Sequence, residues 1–514
     1  MSKTIIIIGA GLAGLSAALQ AAENGCNVKL VSSLPSERAQ SVMAEGGINA
    51  ALNTKDENDS PEEHFTDTIK AACGLADPNA VWGMTQAAPE LVHWLLKLGV
   101  KFNMSGYDDV DLRNFGGQKK KRTAFAQSDT GKQIMTAMID AVRRKEASGM
   151  VERFSHHSFL TLRLCDNICC GCVIRDEYSQ ETVELPGYAV IVATGGMHGL
   201  FGNTTGSLSN TGEVTAELFR LGVPLANGEM IQYHPTTVKC GGKRMLISEA
   251  ARGEGGRLFA MKDGKQWYFM EEKYPELGNL MPRDITAREI WKVSHESEVF
   301  LDMTEISDEI ISNKLSGLAD DCMTYLHKDI RKEPVSVLPG IHYFMGGILV
   351  DEQHRTPIQN LYAAGECCAQ YHGANRLGGN SLLGALYGGR VAAKSACEQA
   401  DVVDLSCATQ IDFPPASQIS EIKQLNKVMQ ETMGVVRNEN TLLNGIQTVQ
   451  ALTGNLPLLG MAVLKSALAR KESRGAHWRE DYPKSNDDDY LKTTVARFDG
   501  KQIQISFVPV PERR

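Results

Sequence analysis

Arg376 stands inside a glycine loop, GANRLGGN, between a short apolar run, LYAAGE, and a small-residue pattern, SLLGALYGGR. A guanidinium there presents a planar fork of donors that matches a carboxylate. Gly373, Gly378 and Gly379 leave out Cβ atoms where a ligand must approach the backbone. Asn380 and Ser381 are good N-cap residues, so Ser381 and Leu382 are expected to open a helix whose free N–H groups favour negative charge. Such a loop can grip an acidic substrate and an electron-rich ring together, or it can be a plain strand-to-helix turn. His234 in QYHPTT, with Thr236 beside it, and His342 in HYFMGG are substrate-ligand candidates or structural histidines. Ser248, Glu249, Arg252 and Glu254 crowd one segment, SEAARGEGG, as a reactive cluster or a solvated loop. Arg283 follows Pro282 at the start of a helical pattern, LMPRDITAREIWK, where alone it reads as a helix-start ion pair.

The scaffold for these groups begins at Thr4. A β-branched run, Thr4–Ile8, leads into GAGLAG, which sets Gly9, Gly11 and Gly14 in the G-x-G-x-x-G spacing around Ala10. A helical pattern and a second strand, NVKLVSS, follow, the context of a dinucleotide-binding turn. An acidic residue usually ends that second strand and holds the ribose. Ser32 or Ser33 stands there instead, leaving the ribose to a hydroxyl or to the backbone. Residues 35–53 form a second small-residue loop with Ser41 and the adjacent Gly46 and Gly47. Together with the 361–392 stretch, three loops touch one long ligand, which suits a flavin dinucleotide better than a loosely held nicotinamide. Further on, a β-meander is expected to lead into YAVIVATGG, with Ala193, Thr194 and Gly195. Cys165, Cys169, Cys170 and Cys172 lie in that meander, spaced unlike ferredoxin ligands, so no metal site is expected. Beyond DFPPAS at 412–417 apolar residues recur at helical period, and the tail looks like a hairpin with a proline-rich end.

A chain of 514 residues is too long for one core, so two or three domains are expected. A net charge of −9 argues against general nucleic-acid binding. No apolar run approaches the roughly 18–20 residues needed to span a bilayer. The N-terminus reads as a strand rather than a signal peptide, and the scattered cysteines suit a reducing cytoplasm.

The ordered set GAGLAG, AEGGINAAL, FGGQ, VATGG, QYHPTT, SEAARGEGG, PRDITARE, HYFMGGI, AAGE, GANRLGGNSLLGALYGGR and ESRGAHWREDYP resembles the flavoprotein subunit of the succinate dehydrogenase and fumarate reductase family over nearly the whole chain. L-aspartate oxidase is a sister family and the alternative, with a reductase of another unsaturated carboxylate. The resemblance implies an α/β fold: a Rossmann-like FAD-binding domain (1–235 and 345–405), an inserted α+β capping domain (236–344) and a helical C-terminal domain with a tail (415–514). It implies that Arg283 is the catalytic acid, reprotonated through Glu249 and Arg252. It implies substrate contacts from Phe115, Gln118, His234, Thr236, His342 and Arg376. Flavin contacts are implied for Gly9, Ala10, Gly11, Gly14, Ser32, Ser41, Gly46, Gly47, Ala193, Thr194, Gly195, Glu213, Glu366, Arg376, Ser381 and Leu382. Aspartate oxidases tend to carry glutamate at the position of Gln118, so the neutral amide favours a plain dicarboxylate such as fumarate. Membrane-bound members link FAD to a histidine where Gln40 stands, and no histidine occurs before His64, so non-covalent FAD is expected. The family further implies an iron–sulfur partner subunit and a cytoplasmic chain, at most peripheral at the inner face of the membrane through its partners.

Overall fold

In the computed structural model, which describes residues 3–106, 109–400, 411, 413 and 418–514, five parallel strands form the central sheet. Their order is Leu361–Ala363, Ala189–Val192, Thr4–Ile8, Asn27–Ser32 and Val151–Ser155. Ile5, Ile6 and Ile7 are fully buried because helices cover one face and the meander the other, which is why the run is apolar without alternation. The helix Leu12–Glu23 follows the glycine turn and packs on the helix Asn380–Gln399, where Ser16 Oγ donates to the Leu386 carbonyl at 2.7 Å. The meander forms as expected from His157–Cys165, Ile168–Asp176 and Thr182–Pro186. Cys169 and Cys172 pack in its core beside Ile6 and Ile8, and burial pushes the Cys169 thiol up to about 12.

A second body caps the first. Its antiparallel sheet orders Lys265–Trp267, Arg257–Lys262, Val299–Asp302 and Val335–Ser336, around a separate core that includes Leu258, Phe269, Ile290 and Leu301. The strands Ile231–Cys240 and Leu338–Phe344 pair where the two bodies join. Their register slips between Gln232 and Tyr233 and again between His234 and Thr237. Pro235 at the second slip cannot donate to the ladder, so the strand bulges there, a device that re-aims side chains next to functional sites.

Three helices follow, Ile419–Thr432, Glu439–Val449 and Asn455–Ala469. They share a core with Leu200, Phe201 and Phe219 of the flavin-binding body. The composition shift near 412–417, and with it the expected boundary between 405 and 415, lies outside the described residues apart from Ile411 and Phe413. The tail is more integrated than its sequence suggests. Its hairpin, Lys492–Phe498 with Ile503–Pro509, adds to a sheet that contains Leu225–Ala226, Gly347–Leu349 and Cys368–Ala369. Fully buried Arg470 anchors it, donating to Glu229 and Glu472 at 2.7 Å each, and within the ESRGAH segment Arg474 Nε donates to Glu472 Oε1 at 2.8 Å.

Candidate active site

A cavity of about 1000 Å³ runs between the sheet, the cap and the start of the Asn380–Gln399 helix. At one end its wall is built by Gly9, Ala10, Gly11, Ser32, Ala193, Thr194 and Gly195. Gly9 has φ +111°, a backbone state that L side chains rarely adopt. Gly14 stands behind the wall, where a Cβ would run into the Gly9 carbonyl; its absence lets helix and strand meet. The Ser32 hydroxyl is buried there without a partner, a free group for a ribose. Glu213 joins this end at the start of the helix Glu213–Arg220, and burial raises its carboxyl despite nearby Arg175.

Gln40, Ser41, Gly46, Gly47, Glu366, Ser381 and Leu382 line the middle. The helix begins one residue earlier than the N-cap preference suggests. Gly379 is the cap, at φ +83°, and no side chain caps the helix. Asn380 instead turns inward, donating to Thr68 Oγ1 at 3.0 Å and accepting from Asn49 Nδ2 at 2.7 Å. The first-turn N–H groups of Ser381 and Leu382 therefore remain available on the cavity side, where the helix dipole favours negative charge.

The other end is lined by Phe115, His234, Glu249, Arg283, His342 and Arg376. Arg283 Nε and Nη2 donate to Glu249 Oε2 at 2.8 and 2.5 Å, and its Nη1 donates to Gln232 Oε1 at 3.1 Å. Glu249 Oε1 accepts from the Gly116 N–H at 3.0 Å and lies 3.5 Å from Arg252 Nη2. Burial alone would raise the Glu249 carboxyl, but Arg283 and Arg252 hold it below the usual range. Burial presses Arg252 down, with Glu249 opposing. Arg376 lies 4.3 Å above the Tyr343 ring, and its Nε is buried without a partner. Burial, and then Arg283, push its guanidinium down to about 9, as expected for a cation awaiting an anion. Burial and neighbouring groups hold His234 and His342 well below the usual histidine value, so both rings are neutral. Thr205 Oγ1 lies 2.8 Å from His342 Nδ1, and the Thr236 carbonyl 3.1 Å from His234 Nδ1, which leaves the other nitrogen of each ring for the cavity.

Besides Gly14, three expected site residues stand outside the wall. The Gln118 amide is spent within the protein, donating to Asn49 Oδ1, Gly378 O and Thr123 Oγ1 at 3.0 to 3.3 Å. Thr236 donates to the Ile247 carbonyl at 2.9 Å and supports His234. Arg252 lies behind Glu249. Within the SEAARGEGG cluster, Ser248 caps the short helix Glu249–Gly253 and Glu254 turns to Lys314 at 3.1 Å. Sequence reasoning missed Gln232, which braces Arg283, and Tyr343 beneath Arg376; both flank expected histidines. It also missed Glu45 in the wall, whose carboxyl is raised to about 8 by burial and then by Asp321. Among the described residues no group of three or more His, Cys, Asp or Glu side chains is set to hold a metal ion.

The glycine cradle, the orphaned Ser32 hydroxyl and the open helix start fit a flavin dinucleotide, and fold and cavity together define an FAD-dependent oxidoreductase with a capped site. Residues 4–382 match the FAD binding domain family, and residues 452–513 match the fumarate reductase flavoprotein C-terminal family. The succinate dehydrogenase flavoprotein subunit of Bacillus subtilis is 38% identical, covering 100% of this chain and 98% of its own. The 8-methylmenaquinol:fumarate reductase flavoprotein subunit of Wolinella succinogenes is 32% identical over 100% of this chain and 92% of its own. The solved quinol fumarate reductase chain of E. coli superposes with a TM-score of 0.89 at 27% identity, covering 99% of this chain and 97% of that one. The chain belongs to the succinate dehydrogenase/fumarate reductase flavoprotein subunit family. Among the described residues no helix is long and apolar enough to cross a membrane.

Proposed function

We propose that this chain is the catalytic flavoprotein subunit of an enzyme that interconverts fumarate and succinate, with FAD held non-covalently and Arg283 as proton donor. The observation that carries the reading is the meeting, at one end of the cavity, of two buried arginines with different partners. Arg283 is bound to Glu249, whereas Arg376 keeps an unpartnered Nε. A dicarboxylate supplies the anion that Arg376 lacks, and neutral His342, whose Nδ1 can accept from the Thr205 hydroxyl, donates a hydrogen bond to it from Nε2. Charge-assisted contacts of about 1.5–3 kcal/mol each suffice to hold a dianion there.

The chemistry that FAD supplies when bound is two-electron hydride exchange with one central carbon of the substrate. Its holders would be the glycine turn at Gly9–Gly14, Ser32, Ser41, Gly46, Gly47, Thr194, Gly195, Glu366 and the helix start at Ser381 and Leu382. Arg283 delivers a proton to the neighbouring carbon. An arginine, with a pKa above about 12, gives up a proton only to a strong base such as a developing carbanion. Glu249 and Arg252 then return a proton to it. Gln40 offers no group for a flavin bond. An iron–sulfur partner subunit is part of the proposal, supported by the names of relatives as flavoprotein subunits of larger enzymes.

The test is the purified protein with reduced viologen and fumarate. Rapid oxidation of the dye by fumarate is expected. Dye oxidation no faster than without fumarate, or rapid peroxide formation from L-aspartate, would overturn the reading.

A further inference from the structure

Behind the arginines a ring of hydrogen bonds crosses the junction between cap and body. Asn375 precedes Arg376 in the glycine loop of the body and is 3% exposed. Asp284 follows Arg283 in the first turn of the cap helix Arg283–Val293. Asn375 Nδ2 donates to Asp284 Oδ1 at 3.1 Å. Asn375 Oδ1 accepts from Gln232 Nε2 at 2.9 Å, and the same Nε2 reaches the Arg376 carbonyl at 2.9 Å. Gln232 Oε1 accepts from Arg283 Nη1, and the peptide bond between Arg283 and Asp284 closes the circuit.

The chemistry of this position calls for an amide. Asn375 must donate on its cap side, where Asp284 offers only oxygens, and accept on its body side, where Gln232 offers an N–H. Burial raises the Asp284 carboxyl, with Arg288 opposing, so loss of its donor leaves an acceptor unsatisfied in a poor solvent for it. Within this ring, the two bonds that cross from body to cap, Gln232 to Arg283 and Asn375 to Asp284, end on one helical turn. That turn cannot lift without breaking both.

We infer that Asn375 and Asp284 form a latch between body and cap that couples the carboxylate grip of Arg376 to the pose of Arg283. They are positioning residues, since neither lines the cavity. The link to catalysis rests on the proposed roles of Arg283 and Arg376, whereas the latch itself is a statement about two side chains.

N375D sets a carboxylate against Asp284 while keeping an acceptor for Gln232. Amide exchange across residues 283–288 is expected to speed up and kcat for fumarate to fall by about tenfold or more, with a smaller rise in KM. The exchanged pair D284N/N375D restores one donor and one acceptor with the direction reversed, and is expected to recover most of both losses. N375A, which adds no charge, is the second variant should N375D fail to load FAD. A role in loop packing alone would not be rescued by the exchanged pair. The latch is refuted if D284N/N375D exchanges as fast as N375D, or if N375D and N375A both match the unmodified protein. If R283Q instead keeps its turnover, the proton-donor reading falls, and the exchange comparison still decides the latch.

Discussion

Replacing Arg283 with glutamine removes the group that does most to hold Glu249 charged in a buried place. In the intact site two guanidinium donors fall on Glu249 Oε2, at 2.8 and 2.5 Å, and only the Gly116 N–H and the more distant Arg252 serve Oε1. Breaking a buried pair from one side costs roughly 3–5 kcal/mol, and because Arg252 remains near, the lower end applies. Loss of a general acid lowers turnover by about 10² to 10⁴. FAD content is expected to stay normal, because Arg283 lies at the opposite end of the cavity from the glycine turn. The stability deficit has a pH signature. In the intact protein the Glu249 carboxyl lies below its ordinary value, so its contribution is present above the carboxylate range and is lost as pH falls through the lowered value. In R283Q burial dominates and raises that carboxyl. The deficit is therefore full at neutral pH and shrinks as the solution is acidified and the group is protonated. Viologen oxidation by fumarate and thermal denaturation across pH check the two halves. Turnover within tenfold of the unmodified enzyme would refute the donor role, and a deficit that grows on acidification would refute the electrostatic account.

Acid denaturation is expected to release all flavin into the supernatant, since Gln40 cannot bond to it; colour retained in the protein pellet would contradict this. Gly14→Ala drives a Cβ into the Gly9 carbonyl and is expected to yield protein with little FAD, read as a lost flavin absorbance relative to protein. Burial pushes His64 down to about 3 and His354 to about 4, while the unfolded chain takes up protons near 6.5. Stability that is full above pH 6.5 is therefore expected to fall as pH drops from 6.5 towards 4, measured by denaturant midpoints; a constant midpoint would contradict it.

Gln118 does not by itself speak against an aspartate oxidase. The amide was expected at the substrate, yet its donors go to Asn49, Thr123 and Gly378. Kinship to succinate dehydrogenase and fumarate reductase flavoproteins favours the dicarboxylate reading instead. The N-cap reading at Asn380 erred for a local reason. Gly379 takes a left-handed conformation that frees Asn380 to tie His64, Asn49 and Thr68 together.

What the amino-acid order determined alone is local. The β-branched run with its glycine spacing, the meander, the helix after Pro282 and the helical period near the C-terminus follow from forces that act within a few residues. Those forces are side-chain size, allowed backbone angles and the period of apolar positions. Only the tertiary structure decided which polar atoms meet. Gln232 and Asn375 are 143 positions apart, and Asn375 and Asp284 are 91 apart. No local rule joins such partners. Burial does, because an amide or carboxylate taken out of water must find whatever group the packing brings within 3 Å, and the packing is a property of the whole chain.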